Sequence, residues 1–140
     1  MHPFHALLLL AVLATLVAFA FVVRWERARY DKLGKVSGWR RVRLASIPIA
    51  PLVAALVWLP AQATSGMEGL AVFYILLLVV APPVWFGLHW VVGRFASPPL
   101  TLGESAAVAA SPIAVGLVAV YVAHALQTPV WQLLRSLGLA

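Results

Sequence analysis

Cysteine is absent from the chain, so it has no disulfide framework, no thiol redox centre and no cysteine metal site. Charge is scarce as well. Only 10% of the 140 residues are Asp, Glu, Lys or Arg, where a soluble domain carries about 25%. Acidic residues are the rarest charged type, four against ten basic ones, for a net charge of +6. Motifs of catalysis are missing too: there is no nucleophile elbow, phosphate loop or zincin pattern. What is abundant is apolar surface, at 64% of the residues. That composition excludes a disordered chain and argues against a water-soluble domain. The length allows one domain.

The apolar residues fall in four runs free of Asp, Glu, Lys and Arg: residues 4–23, 44–67, 69–93 and 105–134. A bilayer core of about 30 Å takes about 20 apolar residues in helix. The runs are continuous and do not alternate, which disfavours barrel strands, and helices pair their own backbone groups in lipid. The expected fold is an all-α integral-membrane four-helix bundle with spans at about 4–23, 44–63, 69–93 and 104–126. Thr128-Pro129 divides the last run, so a short outer amphipathic tail is expected at 128–140. The first run resembles a signal peptide, but no Lys or Arg precedes it and its apolar stretch is too long. It reads as a retained helix.

Eight of the ten basic residues lie in one expected loop, 24–43: Arg24, Arg27, Arg29, Lys32, Lys35, Arg40, Arg41 and Arg43. Short basic loops stay in the cytoplasm. Both termini are therefore expected outside, in what reads as a bacterial inner membrane. The helix of the first span is expected to continue to about Leu33 and stop at Gly34. These basic residues are expected to contact anionic lipids or an acidic partner subunit. The charges sit between apolar runs with no presenting fold, so nucleic acid is not an expected partner.

Proline and small residues set the packing expectations. Pro82-Pro83 and Pro112 sit inside expected spans, where they remove helical donors and bend or interrupt the helix. At Pro82-Pro83 the carbonyls of Leu78 and Val79 lose their donors, with Thr15 and Ser111 the obvious hydroxyls at comparable depth. Ala106, Ala110 and Ala114 recur every four residues and let another backbone come close. Ala14 and Ala18 offer a weaker version in the first span.

Candidate chemistry is thin. No acidic or basic residue lies near an expected midplane, which argues against a proton-coupled carrier. His5 and His124 share the expected outer leaflet, which permits a bis-histidine haem b or a quinone site there; His2 and Glu68 are on that side too. His89 is expected at the inner end of its span, where it, Arg94 and Glu104 are close in depth and suit a polar cap. No cofactor is expected by default. The function expected from these features is a non-catalytic accessory subunit of a larger membrane complex, such as a respiratory or other energy-transducing one. Its partners would be other membrane subunits. The alternatives are a small homo-oligomeric channel or carrier for an apolar or lipid-like substrate, and then the His5–His124 site.

Overall fold

The computed structural model describes the backbone of residues 3–138, and side chains there except those of residues 3–7, 10, 127 and 134. The described residues form helices joined by short turns and contain no strand. The helices are α1 (Pro3–Lys32), α2 (Val36–Gln62), α3 (Gly66–Ile75), α4 (Ala81–Arg94) and α5 (Leu102–Ser136), with a π-helical segment, Leu76–Val80, joining α3 to α4. Among the described residues, three stretches are long and apolar enough to cross a membrane: Val36–Gln62, Gly66–Arg94 and Leu102–Leu126. This is the helix set of a membrane protein.

The stop after α1 is made by Gly34. Its φ of +66° is a left-handed conformation that favours glycine. Gly34 N–H donates to Asp31 O at 2.9 Å and Lys35 N–H donates to Tyr30 O at 2.8 Å, the paired bonds of a Schellman end. Only residues 33–35 lie outside helix here. The stretch 24–43 is therefore not a loop: its basic residues sit on the end of α1 and the start of α2. Lys and Arg are good helix formers, and Arg29 and Lys32 in the last turn of α1 suit its dipole.

Between α3 and α4 the helix changes type just before the proline pair. Ala81 N–H, the last donor before Pro82 and Pro83, reaches back to Leu76 O in π fashion. Pro82 and Pro83 then occupy the first turn of α4, where a missing N–H leaves few orphans. The α-helical donors to Leu78 O and Val79 O would be the nitrogens of these prolines, which carry no hydrogen. Thr15 does not serve as a partner for those carbonyls, because its hydroxyl donates to Ala11 O within α1 at 2.6 Å.

Helix α5 runs unbroken from Leu102 to Ser136 with Pro112 and Pro129 inside it. The expected division at Thr128-Pro129 is not present. A single proline removes one helical bond and bends a helix, and the apolar residues after it continue the helical pattern.

The chain separates into two compact units, one made of Arg27–Ala110 and the other of Met1–Glu26 with Ser111–Ala140. In the first, α2 packs on α4 and on α3. Its core is Tyr30, Trp39, Val42, Ile49, Val57 and Ala61 with Ala81, Leu100, Val108 and Ala109. The spacing of the α2 members puts them on one helical face. The opposite face leaves Ile47, Leu52 and Leu59 exposed. An apolar exposed face of this kind suits lipid.

Candidate functional site

The polar side chains of the Arg27–Ala110 unit gather in two clusters. The deeper one centres on His89, which is fully buried. His89 Nδ1 lies 2.7 Å from Trp85 O, one turn back on α4. A carbonyl only accepts, so Nδ1 carries a proton. In the neutral ring Nε2 is then an acceptor, and the Ser46 hydroxyl on α2 donates to it at 2.8 Å. The Trp85 and His89 rings stand 4.4 Å apart, tilted by 47°. Trp85 Nε1–H donates to Ala109 O on α5 at 2.8 Å. Trp85 and His89 thus tie α4 to α2 on one side and to α5 on the other.

Beside this cluster α4 and α5 approach closely. A Cβ on Gly93 would collide with Ser105 Oγ. Ser105 is fully buried, and its hydroxyl has no hydrogen-bond partner. Glycine at 93 is what lets the two helices meet here.

The second cluster fastens the start of α5. Thr101 N–H donates to Glu104 Oε2 at 2.7 Å, and Glu104 N–H donates to Thr101 Oγ1 at 3.3 Å. This reciprocal pair is a capping box. Lys35 Nζ donates to both Glu104 carboxylate oxygens, at 2.9 and 2.8 Å. Tyr30 OH donates to Glu104 O at 2.9 Å, and the Tyr30 and Trp39 rings stack at 6.3 Å. Ser37 Oγ donates to Ser97 O at 2.6 Å, which holds the α4–α5 connection against α2.

Ser46 and His89 have the bond of a nucleophile and its base, with Nδ1 oriented by a third group. Chemistry also needs room for a substrate at the hydroxyl and donors for an oxyanion. His89 has no exposed surface through which a substrate would reach it. The arrangement acts as a tie between helices.

His2 and the side chain of His5 lie outside the described residues, so a His5–His124 pair is not placed; His124 is exposed on α5. Among the described residues no group of three or more His, Cys, Asp or Glu could hold a metal. The expected cap of His89, Arg94 and Glu104 is not assembled: His89 takes Ser46, Glu104 takes Lys35, and Arg94 is exposed. Charge decides that choice, since Lys35 neutralises Glu104 directly. Arg24, Arg27, Arg29, Lys32, Arg40 and Arg41 are exposed, while Lys35 and Arg43 are half-buried. On α5 the buried residues are Ser105, Val108, Ala109 and Val115; Ala106 and Ala110 are half-buried and Ala114 is exposed. Pro112 is half-buried inside α5, and Pro82 and Pro83 are exposed.

Set against known protein families, curated proteins and solved structures, the chain matches none.

Proposed function

We propose that this chain is a non-catalytic integral-membrane subunit of a larger assembly, such as an energy-transducing complex. The observation that carries the reading is the use made of the polar side chains inside the apolar helices. Ser46, Trp85 and His89 bind helix to helix, so polarity at membrane depth serves rigidity, and recognition is left to surfaces. A surface of the right kind exists in the other unit. An apolar cleft of about 980 Å³ runs between α1 and α5, lined among others by Ala11, Ala14 and Ala18 and by Ala114, Ala119 and Ala123. Alanines on both walls admit the backbone of another helix.

In this reading α1 is a fourth span, the helices form a bundle with both termini outside, and the basic ends of α1 and α2 face the cytoplasm of a bacterial inner membrane. The weight of eight basic residues in 24–43 supports that orientation. The same cleft favours a second reading, a homo-oligomeric carrier of an apolar or lipid-like substrate, because its walls are apolar and its size suits such a ligand.

Photo-crosslinking separates the two. A photoreactive residue at Ala18 or Ala114 should capture a different membrane chain in stoichiometric yield. Capture of only lipid or of a second copy would overturn the subunit reading and favour the carrier.

A further inference from the structure

A second cleft, of about 550 Å³, lies where α1 ends and α2 begins; Asp31, Val36, Ser37, Arg40, Arg41 and Leu44 line it. Helix α2 is long and apolar enough to span a membrane and starts at Val36, so the cleft sits at an end of that span, where lipid headgroups lie. Ser37, Arg40, Arg41, Leu44 and Ile47 are all exposed. Their spacing of three, four, seven and ten residues from Ser37 puts them on one face of α2. Along that face two guanidinium groups come first and two aliphatic side chains follow, the order of headgroup and acyl chain in a phospholipid.

We infer that this cleft binds the headgroup of one membrane phospholipid, with its phosphodiester on Arg40 and Arg41 and its acyl chains along Leu44 and Ile47. Charge argues for the diester. Two guanidinium groups and the Asp31 carboxylate leave the cleft with one net positive charge, which a phosphodiester neutralises and a phosphomonoester exceeds. Arginine suits phosphate because its planar fork donates two parallel hydrogen bonds. Asp31 is available to accept from the hydroxyl or ammonium group at the far end of the headgroup. Positive-inside orientation asks only for basic charge on this side. The cleft adds a place for one lipid, and the inference does not depend on the subunit reading.

The test uses the full chain, delipidated in mild detergent and titrated with phosphatidylglycerol, with native mass spectrometry as the readout. The wild type should retain one lipid per chain. Arg40→Gln with Arg41→Gln should weaken retention by about ten-fold or more, the weight of a charge-assisted hydrogen bond. Arg27→Gln with Lys32→Gln removes the same charge from exposed positions outside the cleft and should change retention little. Arg41→Glu alone is the second variant, and it should lose the lipid too. An excess of soluble glycerol phosphate should not displace the lipid, because it lacks the chains that meet Leu44 and Ile47. Equal loss in both glutamine pairs would reduce the effect to diffuse surface charge and overturn the site. Displacement by glycerol phosphate would overturn the lipid as its occupant.

Discussion

The two units differ in what holds their helices. In the Arg27–Ala110 unit polar bonds run between elements: Ser46 with His89, Trp85 with Ala109, Lys35 with Glu104 and Tyr30 with Glu104. In the other unit the hydrogen bonds of Thr15 to Ala11 and of Ser136 to Leu133 each stay within one helix, and the cleft between α1 and α5 is apolar. Hydrogen bonds between membrane helices are individually modest, about 0.6 kcal/mol on average. They are directional, however, and they fix which turn of one helix faces which turn of another. Apolar contacts with lipid all round have no such preference. The bonds of the first unit therefore fix the register of its own helices, while the apolar walls of the α1–α5 cleft supply no directional contact of that kind.

The largest expected effect compares two glycines. Gly93→Leu drives a side chain into Ser105 and forces α4 from α5. A loss of about 3 kcal/mol or more is expected, at the upper end of overpacking. Gly116→Leu, in the other unit, adds a side chain where a Cβ meets nothing, and should stay within about 0.5 kcal/mol. Unfolding in mixed micelles with rising SDS measures both. Equal losses would erase the contrast between the units.

Next comes the buried imidazole. His89→Ala opens a cavity and leaves the Ser46 hydroxyl only its long bond to Val42 O at 3.4 Å, so a loss of about 2–3 kcal/mol is expected. Ser46→Ala leaves Nε2 without a donor and should cost about 1–2 kcal/mol. His124→Ala is the exposed control in the other unit and should lie within about 0.5 kcal/mol. A double-mutant cycle over Ser46 and His89 measures their coupling. A coupling of zero would mean that burial alone, without the bond, accounts for the losses.

How much of this was readable beforehand depends on the range of each interaction. Continuous apolar runs mark membrane-length helices without any knowledge of packing, and three of them are present as helices of that length. Gly34 was readable as a stop because a positive φ is a local demand. The start of α2 was not: Val36 lies eight residues before the expected start at 44, since charged residues mark depth in a membrane while Lys and Arg continue a helix readily. The capping box at Thr101 and Glu104 is legible as a Thr-x-x-Glu pattern, and it starts α5 at Leu102, two residues before the expected start. The burial of His89 was not legible: its partner is 43 residues away on another helix. The small-residue pattern in α5 was ambiguous for a related reason. Ala, Gly and Ser occupy adjacent faces there, and a shift of one residue, about 100° of rotation, separates Ala106 and Ala110 from the buried Ser105 and Ala109.

A smaller effect is expected at the α5 cap. Thr101→Ala removes one arm of the box and should cost about 1 kcal/mol. Lys35→Met removes a partly exposed ion pair with Glu104 and should cost less, at most about 1 kcal/mol. Neither substitution should alter crosslinking from Ala18 or Ala114. If Thr101→Ala did reduce it, the cap would be coupled to the surface of the other unit.

The smallest effect on stability is expected at Ala114, and it decides the most about the comparison. Ala114 is exposed and lines the α1–α5 cleft. Leucine there enters open space, so the isolated chain in detergent should unfold within about 0.5 kcal/mol of wild type. By contrast Ala109→Leu, at a position with no exposed surface, should lose about 1–3 kcal/mol by overpacking. In the membrane the ranking should reverse. If the proposed partner helix enters this cleft, Ala114→Leu adds bulk in its way, so capture from Ala18 should fall sharply while the chain itself stays folded. Ala109→Leu should reduce capture only as far as it reduces folded protein. If Ala114→Leu instead leaves capture intact, small residues at the cleft are not what admits the neighbour, and the surface that recognises it lies elsewhere on the chain.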